Sequence, residues 1–543
     1  MQSVSNSINH LNFNVMNTMQ RSYPVGIQTF ERIINERRVY IDKTDLVWKL
    51  AHVAPFIFLS RPRRFGKSLL TTTLESYFEG KKNLFEGLKI MELEKEWKSY
   101  PVIHLDLSMA KNCDDVEMLR DSLKFVLRPY LELYNYNNDG QQPGKLFAEI
   151  IRKASNNING NVVVLIDEYD SPLLDVLHDR EGLLTYKKVM QEFYQPLKAC
   201  EKMIKFCFIT GITKFSQLSI FSTLNNIMNL SMHPDFAAIC GITEHELTYD
   251  MAEDIAMLAK QEECSPEEMH QKLKMMYDGY HFSENSEDIY NPYSLMNCFA
   301  QKRVKDFWFE SGTTSFLFKQ IQHFGTDITS LNNIEASESD FYLPTEVLDN
   351  ALPLLYQSGY LTIKGYFKES ESYILGIPNN EVMVGLTRGL LPMYSGIRSD
   401  SVKLGCAFKI FKALNSGNID QALSELQAFL AGVPYVDGFK KKLSEAATRE
   451  GFWEYTMYLI LSMMNIYVQT QVRCHGGRID MAVFSATTTY IFEFKLNGSA
   501  KSALEQIDEK HYSDPFATSP NPVVKIGVSF DLDQWNIRDW MIG

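Results

Sequence analysis

The chain has 543 residues, 45% hydrophobic and 22% charged, and 54 Lys+Arg against 67 Asp+Glu give a net charge of −13. This is the composition of a folded protein with several buried cores, which excludes a disordered chain and a collagen-like rod. No uncharged apolar run reaches the ~18 residues of a membrane-spanning helix, and an acidic whole surface disfavours indiscriminate nucleic-acid binding.

After a polar tail over 1–22, four short apolar runs read as buried parallel strands: Phe56–Leu59, Val102–Leu107, Val162–Ile166 and Lys205–Ile209. Helical stretches such as Ser68–Glu79 and Tyr186–Lys198 separate them. The alternation predicts an open α/β sheet with helices on both faces over 23–240. Residues 241–320 turn helical and acidic, and 321–434 stay mostly helical around one hairpin, Tyr360–Ile363 with Ser372–Ile377. From 435 to 543 an apolar helix, a hairpin, a charged helix and a strand at Val523–Phe530 predict a second α/β domain. The eight cysteines form no C-x-x-C pair and the eleven histidines no H-E-x-x-H. With no signal-like N-terminus, the expectation is a reduced, cytoplasmic protein without a zinc site.

The first chemistry lies in FIFLSRPRRFGKSLL, a strand, a tight loop and a helix start. Unpaired N–H groups at a helix start attract phosphate, and Gly66, Lys67 and Ser68 stand at that turn. Lys67 would reach the β- and γ-phosphates and Ser68 would hold Mg²⁺. The generic G-x-x-x-x-G-K-[ST] pattern wants a glycine where this chain has Arg61. The second element is Val162–Ile166 followed by Asp167 and Glu168, two acids at the carboxyl end of a strand, where open α/β sheets bind ligands. Asp167 would serve the metal and Glu168 would polarise the attacking water. Thr210, at the end of the next strand, is a candidate γ-phosphate sensor. Arg63 and Arg64 are candidates for phosphate contact or for action across a subunit interface of a homo-oligomer, and a solvated loop accounts for them equally well. Loop and acids together predict ATP binding.

Five blocks in order resemble the bacterial AAA-ATPase-like family: Y-P-V-G-I-Q-T-F (23–30), Y-I-D-K-T (40–44), R-P-R-R-F-G-K-S (61–68), L-I-D-E-Y-D-S-P (165–172), and Y-D-G-Y-H-F (277–282) with Y-N-P-Y-S (290–294). The resemblance implies an AAA+/ASCE-like P-loop core with a helical lid, and a family that tolerates arginine at the first loop glycine.

The second chemistry lies in R-I-D-M-A-V-F-S-A-T-T-T-Y-I-F-E-F-K-L. Strands Arg478–Phe484 and Thr489–Leu496 around a turn at Ala486-Thr487 set Asp480 opposite Glu493, with Lys495 on the same face. Two acids held that close call for a cation, and Mg²⁺ suits carboxylate oxygens. Lys495 would orient or deprotonate a metal-bound water or stabilise charge on phosphate. Glu454 is the only charged residue between Glu450 and Arg473. It is either an exposed first-turn acid or a third carboxylate aimed at the same metal. Downstream, Ala503-Leu504-Glu505-Gln506-Ile507 opens a charged helix whose Gln506 is a candidate to face the site. The array D-x₁₂-E-x-K, with the blocks G-G-R-I-D, I-F-E-F-K and A-L-E-Q-I, resembles the PD-(D/E)xK nuclease fold, of restriction-endonuclease-like α/β architecture, that follows this ATPase in the same family. The resemblance implies Mg²⁺-dependent cleavage of nucleic acid, DNA in the first instance. Residues 436–543 hold 11 Lys+Arg and 13 Asp+Glu, hence −2 of the −13. Lys440, Lys441, Lys442, Arg473, Arg478 and Lys501 form a candidate basic rim. The rival reading is an ATP-controlled binding or scaffold protein whose nuclease-like domain does not cut.

Overall fold

The computed structural model describes residues 21–543 except 137–139, 158–160, 175, 178, 214–226, 310–314, 325, 327, 329–330, 343–349, 396–399, 432–448, 463–466, 486, 497, 520 and 532–535. The chain divides into two compact units, one ending at Lys305 and the other running from Asp306 to Gly543.

In the first unit, five parallel strands form one sheet: β1 (Phe56–Ser60), β2 (Val102–Asp106), β3 (Val162–Asp167), β4 (Ile204–Gly211) and β5 (Met228–Asn229), in the order β2-β3-β4-β1-β5. The four expected strands are present. The two-residue β5 is too short to carry a pattern. β1 and β3 are buried at every position, as a sheet covered on both faces requires. Helices α2 (Val116–Leu133), α3 (Pro143–Asn157) and α4 (Arg180–Ala199) cover one face. Leu119, Leu123, Leu127, Leu146, Phe147 and Phe193 there join Phe56, Ile103, Val164 and Ile209 in a single core. On the other face, Phe78 of α1 (Lys67–Phe78) meets Phe206 of β4 with ring centroids 4.9 Å apart. The order sets β4 between the loop-bearing β1 and the acid-bearing β3, so three strand ends converge on one rim. The expected helical segment follows with α5 (Glu244–Asp250), α6 (Ala252–Gln261), α7 (Pro266–Tyr277) and α8 (Pro292–Gln301). Capping boxes Thr243/Glu246 and Ser265/Glu268 start α5 and α7. A short antiparallel pair, β6 (Ile242–Thr243) and β7 (Ile289–Tyr290), ties the segment together.

In the second unit the expected hairpin is β9 (Thr362–Phe367) and β10 (Ser372–Gly376), and β8 (Ile334–Ser337) makes it a three-stranded sheet. β8 escapes the sequence reading because its I-E-A-S is short and half polar. Helices Leu352–Gln357, Asn380–Ser395, Asp400–Asn415 and Ile419–Ala431 fill most of the rest up to 434, and α9 (Arg449–Ser462) follows. The C-terminal sheet has five strands in sequence order: β11 (Tyr467–Cys474), β12 (Gly477–Phe484), β13 (Thr489–Lys495), β14 (Val523–Asp531) and β15 (Asn536–Ile542). β11 and β15 extend the hairpin and strand read from the sequence. β13 and β14 run parallel, so a crossover must join them, and α10 (Ala500–Glu509) supplies it. A Cβ at Gly527 of β14 would lie 2.2 Å from the Ala500 carbonyl, so only glycine lets α10 settle this close to the sheet. Among the described residues no helix is long and apolar enough to cross a membrane.

Candidate functional site

Gly66 precedes α1 with φ +83°, and nothing lies within 4 Å of where its Cβ would be. The left-handed backbone, rather than space, demands glycine. Lys67 is 4% exposed, with Nζ 3.3 Å from the Pro62 carbonyl and 3.7 Å from Glu168 Oε1. The Ser68 hydroxyl lies next to the Asp167 carboxyl. Burial pushes that carboxyl above its ordinary range, while the neighbouring hydroxyl and the Lys67 charge pull it back. The loop and the acids, about 100 residues apart in sequence, thus meet. Gly66, Lys67, Ser68, Arg64 and Glu168 line a cavity of about 510 Å³ that runs on to Val25, Ile27, Tyr40, Ile242, Met296 and Asn297. A wall that combines phosphate-binding groups with apolar side chains fits a nucleotide.

Arg61 is 2% exposed and serves the fold. Its guanidinium donates to the carbonyls of Ser60 (2.9 Å), Ser231 (2.8 Å) and Phe236 (3.0 Å) and lies 4.3 Å from the centre of the Phe282 ring. Phe65 is wedged edge-on against Tyr280 and Phe282. The Y-D-G-Y-H-F block is therefore an aromatic collar around the loop, and Arg61 is its polar pin. Arg61→Gly, which restores the generic motif, strands the Ser231 and Phe236 carbonyls at about 1–3 kcal/mol each. A fall in the thermal and denaturant unfolding midpoints is the expected result, and an unchanged midpoint would refute the pin.

Thr210 is fully buried and donates its hydroxyl to the Leu59 carbonyl at 2.6 Å, clamping β4 to β1. It is not among the residues lining the cavity. Sequence position alone reads a strand-end threonine as a sensor, and the ladder takes its hydroxyl instead. Asp170, also fully buried, accepts from the N–H groups of Ile212 and Thr213 and from the Thr213 hydroxyl, fixing the chain beyond β4. Lys214, which the sequence places as a cation beside the γ-phosphate, lies outside the described residues.

In the second unit, β12 and β13 pair Met481 with Phe492, Ala482 with Ile491, Val483 with Tyr490 and Phe484 with Thr489. The Ser485 N–H donates to the Thr488 carbonyl, the expected closure, although Ala486 lies outside the described residues. The ladder stops one step before Asp480 and Glu493. Asp480 Oδ2 instead accepts the Phe494 N–H at 2.8 Å, so the carboxylate replaces a strand carbonyl. Glu493 is 3% exposed. Its Oε1 accepts from Lys495 Nζ at 3.1 Å and from the Gln506 amide, and Lys495 donates to Gln506 Oε1 at 2.6 Å. Glu454 is 6% exposed, which removes the exposed first-turn alternative, and it accepts from Gln471 Nε2 at 2.9 Å. Gln471 stands between the pairs Thr470–Met481 and Val472–Ile479, hence opposite Asp480, with φ +51°. Two of the acids are each held by a glutamine, Glu454 by Gln471 and Glu493 by Gln506. Among the described residues, no group of three or more Asp, Glu, His or Cys is gathered for a metal. The donors beside Lys495 are hard carboxylate oxygens, the set that suits Mg²⁺. Gln471 was missed because its strand carries no periodic signal, and the rotated backbone beside an acid shows only in coordinates.

Strand order defines the first unit as an α/β core with a parallel five-stranded sheet, and the glycine loop and the acids stand at the carboxyl ends of its strands. The mixed sheet with its crossover helix and E-x-K cluster places the second unit's C-terminal part among nuclease-like α/β folds. Residues 24–221 match the AAA-ATPase-like family, described as "Predicted AAA-ATPase", and residues 448–540 match the PD-(D/E)XK nuclease superfamily. The chain thus carries an AAA-ATPase-like domain in its N-terminal part and a PD-(D/E)XK nuclease superfamily domain in its C-terminal part. It is also 28% identical over 531 residues to the "Uncharacterized protein in vnfD 5′ region" of Azotobacter chroococcum mcd 1, covering 96% of this chain and 99% of that one.

Proposed function

We propose that the protein binds and hydrolyses ATP in its first unit and cleaves phosphodiester bonds of nucleic acid, DNA in the first instance, in its second. One observation carries the reading: in each unit a lysine stands beside carboxylates at a strand end, Lys67 beside the half-buried Glu168 and the buried Asp167, Lys495 beside the buried Glu493.

In the nucleotide site, Gly66 and the start of α1 present N–H groups to the phosphates and Lys67 bridges them. Ser68 and Asp167, which lie next to each other, would hold Mg²⁺. Glu168 takes the proton of the attacking water. In the nuclease site, Asp480 and Glu493 would hold Mg²⁺, which supplies charge neutralisation and a polarised water when bound. Lys495, aimed by Glu493 and Gln506, donates to the charge that develops on the phosphate. Glu454 braces Gln471 opposite Asp480. Arg473 and Arg478 are directly paired across β11 and β12 and both are exposed. Like charges so placed repel unless an anion lies between them, which suits a phosphate backbone. Lys440, Lys441 and Lys442 lie outside the described residues, and Lys501 pairs with Glu505.

The test uses the full chain. ATP binding by calorimetry is expected to be lost in Lys67→Ala, and supercoiled plasmid is expected to be nicked only with a divalent cation. A second reading, nucleic-acid binding without cutting, draws on the absence of a three-acid cluster among the described residues. DNA retained without cleavage in Mg²⁺ and Mn²⁺ would decide for it.

A further inference from the structure

We infer that Tyr293 is a positioning residue of the nucleotide pocket, holding the Arg64 guanidinium where the phosphates of bound ATP reach it. The inference rests on the nucleotide-binding reading above and assigns the Y-N-P-Y-S block a part in it. Arg64 has φ +68°, a left-handed backbone that costs an L-residue energy and would cost glycine none. Its guanidinium carbon lies 3.9 Å from the centre of the Tyr293 ring. Both side chains line the cavity that Gly66, Lys67 and Ser68 also line.

The partner is firmly mounted. Asn291 caps α8 by accepting the Ser294 N–H at 3.1 Å and donates its own N–H to the Tyr277 carbonyl at 2.9 Å. Pro292 then starts the helix and delivers Tyr293 to the cavity wall beside Arg64, Gly66 and Lys67. A ring engages the face of a guanidinium, whereas phosphate is recognised along its edge. The two contacts are compatible, and the ring fixes the plane in which the edge points.

ATP titrated calorimetrically into the full chain tests this. Arg64→Gly is expected to weaken binding about 10- to 100-fold while the unfolding midpoint stays level or rises. Tyr293→Leu should weaken binding comparably, Tyr293→Phe should restore wild-type affinity, and Tyr293→Leu should add nothing in the Arg64→Gly background. Wild-type affinity in Tyr293→Leu, equal losses in the Leu and Phe variants, or additive losses in the double variant would each overturn the inference alone. A wild-type chain that binds no ATP would overturn the nucleotide reading and the inference with it.

Discussion

Glu168→Gln is expected to slow phosphate release from ATP by about 10²–10⁴-fold, the usual contribution of a positioned general base. ATP affinity should stay at or above the wild-type value. The two effects separate because Glu168 has two relations in the site. It stands at the end of β3 with φ +50°, a strained backbone for a glutamate, which turns its carboxylate back toward the loop. There Oε1 lies 3.7 Å from Lys67 Nζ, so the carboxylate competes with phosphate oxygens for the same ammonium. The amide keeps the size and removes both the base and the competing charge. Phosphate release and calorimetric affinity, measured on the same preparation, check the prediction. Hydrolysis at the wild-type rate would place the base elsewhere.

Much of this site was legible because its parts are local. Strand β1 and the helix start after Gly66 follow from an apolar run and a glycine turn, and β3 from five apolar residues before two acids. What joins them was not. The order β2-β3-β4-β1-β5 decides that β4 lies between loop and acids, and no spacing along the chain encodes it. Thr210 shows the consequence, since only the Leu59–Thr210 pairing reveals the carbonyl that takes its hydroxyl. Arg61 shows another. A buried guanidinium is tolerated because acceptors 170 and 175 residues away surround it.

In the second unit the alternation of β12 and β13 gave the register from Met481–Phe492 to Phe484–Thr489, and with it the neighbourhood of Asp480 and Glu493. The sequence could not show that Asp480 would leave the ladder to take the Phe494 N–H, or that Glu454 would bond Gln471 on the strand facing Asp480. Glutamine is an ordinary surface residue, and Gln471 becomes informative only once an acid stands at hydrogen-bond distance, whereas Gln506 meets Glu493 and Lys495 as its helix position leads one to expect.

Glu493→Gln is expected to abolish cleavage of plasmid DNA, with a fall of roughly 10³-fold or more, equivalent to several kcal/mol of transition-state stabilisation. Gln506→Ala should lose only about 10–100-fold, as for groups that orient a ligand rather than serve as one. The difference follows from what each change leaves behind. Without the Glu493 charge, the buried strand end loses an anionic oxygen for the metal and the partner that aims Lys495. Without Gln506, the Lys495–Glu493 contact at 3.1 Å remains, and the ammonium keeps its place with more freedom. Because the two residues share a hydrogen bond, the double variant should be no worse than Glu493→Gln alone. DNA affinity, read by mobility shift in EDTA, should be retained in both, since the exposed Arg473–Arg478 pair is untouched. Equal cleavage by wild type and Glu493→Gln would remove the nuclease chemistry from this cluster, and retained DNA binding would then leave the sheet as a nucleic-acid platform.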